Sequence, residues 1–450
     1  MKKERCLRTV LFFILFSFTA AQAETLGEIM QLIDANPQLK TAEQKSKASK
    51  ARYASQQSAN YPSLDAVYSA NYLFEKPVVY MNLPGTGYSA ELQIQSQNQY
   101  DGAIRLSYML FTGFAASASI DMAKYAMQRS ELEAEDVKRN LSLSSVNAYA
   151  TAVAAAQFVT AQEEALEAMK KSYEKAKGMF DQGMSPPSEL YRIEAGYHAI
   201  EAEVTRAKNQ YRIALSTLSF LANQTISEVT ELPKYRDISE EKLLEQALEK
   251  RPDLQALKKI LSLQQSRIDL EKSGYYPKVA LYTQLAQHGD SWRLGGDGYT
   301  NKDRSAAGFK INYNLFEGFK SRYDIEAARE DELSARWTIT SYEEAIKKEL
   351  RESYLSFSSF KSELEADRAQ VKARQSYYDL VRGEFDNQLA DADQLSRSIS
   401  SLAAARSALA AARARAYAAY ARMLLQVDVA TFQEALSSDQ PQSETFRSEN

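Results

Sequence analysis

Residues able to do bond-making chemistry are sparse in this chain of 450 residues. His198 and His288 are its only histidines, and they match no metal-ligand spacing. Both read as ordinary surface or loop residues. The single cysteine, Cys6, leaves no partner for a disulfide or a thiolate metal site. No phosphate loop, nucleophile elbow or ligating cluster stands in the sequence, so no cofactor or metal is expected. Asp391 and Asp393 stand out as paired carboxylates at the start of a helix, where the helix dipole favours acids. The remaining acids are scattered along helices as solvated faces. Such a chain offers geometry and electrostatics rather than catalysis, and it does not read as an enzyme.

The segments that must position these residues begin with a leader. Met1-Lys2-Lys3-Glu4-Arg5 precedes an apolar run from Thr9 to Ala20 and the site Ala21-Gln22-Ala23. A basic start, a short apolar core and an Ala-x-Ala site make a signal peptide over 1–23, cleaved after Ala23. Lys2, Lys3, Arg5 and Arg8 against Glu4 give the leader +3, so the chain's net −4 becomes −7 once it is removed. That balance argues against nucleic acid as a partner. No later run approaches the roughly 20 apolar residues of a membrane helix. Barrel strands, with their weak alternating signal, escape that test.

The chain repeats itself. Asn36-Pro37-Gln38-Leu39 and Tyr61-Pro62-Ser63-Leu64 recur as Arg251-Pro252-Asp253-Leu254 and Tyr276-Pro277-Lys278-Val279, at an offset of 215. Leu110-Phe111-Thr112-Gly113-Phe114 recurs as Leu315-Phe316-Glu317-Gly318-Phe319 at 205, so the second hairpin is ten residues shorter. This is a duplicated half-protein. Each half reads as a helix (24–60; 241–274), a strand hairpin (61–113; 275–318) and a helical hairpin (114–222; 319–426). An insert at 223–240 joins them, and the polar tail at 427–450 reads as disordered.

Leu64, Ala66, Tyr68, Ala70 and Tyr72 alternate with Ser63, Asp65, Ser69 and Asn71, the period of a strand with one apolar and one wet face. Four strands are expected, at 63–74, 102–111, 278–288 and 305–316. Tyr72, Phe74 and Tyr100 suit an aromatic girdle at a membrane interface. The stretch 115–182 has no proline and would run on the order of 100 Å as a helix, which calls for coiled-coil packing. Four strands cannot close a barrel, since small ones need about eight. A lipid-facing open edge is not tolerated either. The chain must therefore share its sheet with other copies, with the polar helices projecting into the periplasm.

On the joints at Pro62 and Pro277, the strand exits at Gly113 and Gly318, and the turns beginning Gly183-Met184 and Gln388-Leu389, the chain resembles the TolC-like outer-membrane efflux protein family. The resemblance covers nearly the whole mature chain. It implies a mainly α fold with a small transmembrane β part: a homotrimer with a shared 12-stranded β-barrel in outer-membrane lipid and an α-helical barrel of long antiparallel coiled-coil helices. Such a trimer docks on a periplasmic adaptor (membrane fusion) protein and an inner-membrane transporter. It is a passive exit duct for drugs or, in type I secretion, for protein. The resemblance places Gly183, Met184, Ser185, Gln388 and Leu389 at the periplasmic tip as adaptor contacts. Gln388 departs from the family's glycine, and Pro186 and Pro187 are atypical of its turn. The family often narrows its entrance with aspartates six and nine residues after that glycine. Those positions here are Gln394 and Arg397, with Asp391 and Asp393 nearby as a candidate constriction. The rival reading is a soluble periplasmic coiled-coil scaffold or adaptor, which needs no lipid-facing strands.

Overall fold

The computed structural model describes residues 23–85, 87–236 and 238–437. The expected signal peptide, apart from Ala23, and the end of the expected tail lie outside them. In the first half α1 (Leu26–Leu32) and α2 (Pro37–Gln57) precede β1 (Ser63–Tyr72), β2 (Val78–Leu83), β3 (Tyr88–Gln93) and β4 (Asn98–Phe111), then α3 (Ala115–Asp181) and α4 (Pro187–Ala222). In the second, α5 (Glu240–Lys250) and α6 (Pro252–Lys272) precede β5 (Lys278–Gly289) and β6 (Ala306–Asn312), then α7 (Lys320–Asp386), α8 (Ala392–Leu425) and α9 (Val429–Ser437). The fold is mainly α with a small β part.

The punctuation of the two halves has the same causes. A capping box starts α1: Thr25 accepts from the Glu28 N–H, and the Glu28 carboxylate accepts from the Thr25 N–H. Pro37 and Pro252 each open a helix at the position where a missing N–H costs nothing. Each of those helices tightens into a 3₁₀ turn, at Ser58–Asn60 and Ser273–Tyr275, before its Tyr-Pro joint and strand. With no proline inside them, α3 and α7 each run 67 residues, or about 100 Å at 1.5 Å per residue.

By contacts the chain forms two units. A helical unit holds the described residues of 1–40, 137–247 and 348–450, and a strand-bearing unit holds those of 41–136 and 248–347. In the helical unit Glu24 forms a parallel bridge with Val229, which clips the residue two before α1 to the 223–240 insert. Tyr149 is fully buried, and its hydroxyl bonds Thr230 Oγ1 at 2.8 Å. Burial pushes that phenol above its usual range, with the Thr230 hydrogen bonds working the other way.

In the strand-bearing unit the sheet order is β1-β4-β5-β6, antiparallel throughout. The register puts Leu64 opposite Leu106, Ile104 opposite Leu285, and Leu281 opposite Phe309 on one face. Asp65 opposite Arg105 and Asp101 opposite His288 fall on the other. The apolar face is bare: Leu64, Leu285 and Phe309 are each about two-thirds exposed.

Three features differ from the sequence expectation. The loop between the first two expected strands carries its own hairpin, β2–β3, whose turn contains Pro84 and Gly85. The last strand stops at Asn312 rather than 316, because β5 begins at Lys278, opposite Asn312, and Tyr313–Phe316 run past it with no partner strand among the described residues. The expected disordered tail begins with structure: Val427 and, on α9, Phe432 are buried, so two apolar side chains hold its first turns in place.

Candidate functional site

The two turns of the helical unit carry the candidate adaptor contacts. At the first, α3 ends and Gly183 takes φ 69°. The Met184 N–H donates to Met179 O at 2.8 Å and the Gly183 N–H to Phe180 O at 2.8 Å. This pair of bonds is the Schellman closure, which asks for a left-handed residue after the helix. Ser185 donates to the Glu189 carboxylate at 3.1 Å, and Pro186 and Pro187 start α4. At the second turn Gln388 takes φ 62°, the Leu389 N–H donates to Glu384 O at 2.8 Å and the Gln388 N–H to Phe385 O at 3.1 Å. The backbone is thus the same without the glycine. Both turns hold an apolar side chain out to solvent, Met184 at 55% exposure and Leu389 at 80%.

The structure brings these turns to one end of the helical unit. Met169, Ala176, Ile193, Val381, Phe385 and Leu395 share one core behind them. Lys175 pairs with Asp386 at 2.6 Å, and Arg406 pairs with Glu164. A groove of about 550 Å³ beside these pairs is lined by Glu163, Glu167, Lys171 and Arg382 among others. Sequence reasoning missed these pairs, since 211 and 242 residues separate the partners. Exposed pairs of this kind add little stability; they fix which side chains of α3 face those of α7 and α8.

The candidate constriction lies on the first turns of α8. Asp391 is its N-cap and accepts from the Gln394 N–H at 2.7 Å. Asp393 pairs with Arg397 one turn on. All four residues therefore share one helix start, and Asp391, Gln394 and Arg397 are exposed.

The candidate joints lie in the strand-bearing unit. Gly113 and Phe114 are both left-handed, φ 67° and 71°, which turns Phe114 back edge-on to Phe111 with ring centres 5.2 Å apart. Phe114 also meets Tyr276, beside Pro277, at 5.3 Å. A Cβ on Gly113 would lie 2.8 Å from Ser273 O and 2.9 Å from Tyr276 Cβ, so only glycine fits. Gly318 and Phe319 repeat the conformation, with Phe316 and Phe319 5.5 Å apart, but nothing among the described residues lies within 4 Å of a Gly318 Cβ. Pro62 follows the exposed Tyr61 at the other edge of the sheet.

The histidines divide. His198 is exposed and pairs with Glu201 at 3.1 Å, as a surface residue does. His288 is not the surface or loop residue its sequence suggests. It is wholly buried at the end of β5, between two aspartates. No spacing announces this, because Asp101 is 187 residues away.

A family model described as outer membrane efflux protein matches residues 29–224 and 243–424. A sequence search of the curated proteins finds no match. Among solved structures, the CmeC outer membrane channel of Campylobacter jejuni is 18% identical with a TM-score of 0.73, over 91% of this chain and 86% of that one. The outer membrane protein VceC of Vibrio cholerae is 16% identical with a TM-score of 0.71, over 90% and 95%. The open-state MtrE outer membrane channel of Neisseria gonorrhoeae is 16% identical with a TM-score of 0.69, over 89% and 88%.

Proposed function

This chain belongs to the outer membrane efflux protein family, and from that premise we propose that it is the outer-membrane duct of a tripartite export system. Three copies share one 12-stranded barrel, and their helices line a periplasmic conduit. The observation that carries the proposal is the four-stranded sheet, open at both edges, with one bare apolar and one wet face. Lipid suits the first face and a water-filled lumen the second. A soluble scaffold would leave that apolar face without a purpose.

In this reading the turns at Gly183–Ser185 and Gln388–Leu389 receive an adaptor, with Met184 and Leu389 as exposed apolar knobs. The adaptor links the duct to an inner-membrane transporter, which supplies the energy and chooses the cargo, small drugs or a secreted protein. The duct itself is passive. Asp391 and Asp393 form the entrance constriction together with Gln394 and Arg397, so three copies converge a ring of carboxylates there. Partner contacts at the turns draw these helix starts apart and widen the ring.

Single-channel recording of the membrane-extracted protein tests both levels. Asn caps a helix about as well as Asp, so Asp391→Asn with Asp393→Asn removes charge while keeping the α8 cap. The native protein is expected to conduct weakly and to be blocked by multivalent cations, and the double variant to lose the block. Unchanged conductance and block remove these residues from the entrance. Recovery of the native protein in the soluble periplasmic fraction overturns the channel.

A further inference from the structure

His288 is the last residue but one of β5, on the wet face, at the end of the strand away from Pro277. Its Nδ1 lies 2.9 Å from Asp101 Oδ1 on β4, directly across the ladder. Its Nε2 lies 3.3 Å from Asp297 Oδ2 in the loop 290–305. The Asp297 side chain is fully buried. Its other oxygen accepts from the Tyr299 N–H at 2.9 Å, the Thr300 N–H at 2.8 Å and the Thr300 hydroxyl at 3.1 Å. Arg304, on the stretch leading into β6, reaches Asp101 Oδ1 at 3.5 Å. The charged groups facing the ring are thus Asp101 from β4 and Asp297 from the loop, with Arg304 behind Asp101.

The same loop is seated at further points. The His288 N–H donates to Lys302 O at 2.8 Å, and the Tyr68 hydroxyl donates to Trp292 O at 3.0 Å. Leu294 lies where Gly102 and Gly289 leave room: a Cβ on Gly102 would come within 2.6 Å of its side chain, and one on Gly289 within 2.6 Å of its backbone. A bare loop needs no buried ring between two buried or half-buried acids, so the cluster asks for a purpose.

We propose that His288 is a proton-operated clasp that holds the loop 290–305 over the ends of the strands. Burial pushes the Asp297 carboxyl up, but the Thr300 and Tyr299 N–H groups, the Thr300 hydroxyl and His288 outweigh it and hold the carboxyl well below the usual carboxylate range. A carboxylate so depressed stabilises the fold at every pH above the ordinary aspartate value and loses that contribution only as pH falls through its own lower one. Asp297 is therefore ionised throughout the neutral range and can only accept. With an acceptor on each side, both bonds need both ring nitrogens to carry hydrogen, which only the imidazolium does. Removing one proton turns a lone pair onto one of the two carboxylates, the half-buried Asp101 or the buried Asp297. Only the imidazolium makes both bonds at once, so the clasp weakens as pH rises. Placing the loop at the external mouth rests on the export-channel reading; the clasp does not.

Hydrogen exchange of the full-length protein in detergent, corrected for intrinsic rates, tests it between about pH 5.5 and about pH 8.5. Protection of the Tyr299 and Thr300 amides falls about tenfold with rising pH, while the β4–β5 ladder holds. His288→Gln makes the loop's protection independent of pH. A flat native profile overturns the clasp, and so does a fall that survives in the variant. Should His288→Gln not fold, Asp101→Asn keeps the ring but removes one charged acceptor and shrinks the fall. A full tenfold fall in that variant overturns the proposal. Loop protection can follow pH in a protein that never conducts, so failure of the clasp and failure of the channel are separate results.

Discussion

Gln388 holds a left-handed backbone that its counterpart Gly183 holds without strain. For a residue with a Cβ that conformation costs roughly 1–2 kcal/mol, set against the extra chain entropy that glycine loses on folding, roughly 0.5–1 kcal/mol. Gln388→Gly is therefore expected to stabilise the turn by about 1 kcal/mol or less, raising Tm by roughly 1–3 °C. Gly183→Gln should lower it by a similar amount. If Gln388→Gly lowers Tm instead, the left-handed backbone at Gln388 carries no such cost. The turns were legible in sequence because glycine and proline mark them. The second turn was legible only through its place in the repeat, since nothing about Gln388 by itself announces a positive φ. His288 was illegible because burial comes from residues that only the folded sheet brings alongside.

At the scale of elements, the alternation read along the strands fixes which residues face lipid in the export reading. Leu285 lies on the bare apolar face beside Ile104, and Gln284 lies on the wet one beside Arg105. Leu285→Lys is expected to cost roughly 2–4 kcal/mol of folding in the bilayer and to deplete the trimer recovered from outer membranes. Gln284→Lys loses one hydrogen bond, to Arg304 O at 3.3 Å, and leaves the yield near native. Equal yields would contradict a lipid-facing surface. The four main strands and the paired 67-residue helices were visible because period two and proline-free runs survive in any single sequence. The β2–β3 hairpin was hidden by its own turn residues. Pro77, Pro84, Gly85 and Gly87 suggest open loop, yet Pro84 and Gly85 make the bend that lets Val79 pair with Leu92. α9 was hidden in a polar stretch because two side chains, Val427 and Phe432, carry its burial.

At the scale of the whole molecule, the repeat makes a prediction about other copies. Within one chain the exit at Gly113 packs against Ser273 and Tyr276, where the next repeat enters its strand. A Cβ at the equivalent exit, Gly318, would meet nothing within 4 Å among the described residues, and the equivalent of Tyr276, Tyr61, is exposed. An unused half-joint on each edge is what a head-to-tail ring of copies requires. The β4–β5 register can be carried across it by the two offsets. Arg105 opposite Gln284 becomes Lys310 opposite Ser69 of another copy, and Leu106 opposite Thr283 becomes Ile311 opposite Tyr68. These adjacent rows include one of each hydrogen-bonding type, so one of them suits a disulfide. β1 and β6 are opposite edges of the sheet with two strands between them, so about 14 Å separates them within a copy, too far for a bond needing Cβ atoms about 4 Å apart. The pairs Ser69→Cys with Lys310→Cys and Tyr68→Cys with Ile311→Cys, in a chain whose one native cysteine is Cys6, can then form the expected disulfide only between copies. Oxidation of outer membranes should give covalent dimers and trimers and nothing larger. A ladder ending at two would mean an eight-stranded ring, and monomer alone would mean that these edges do not meet.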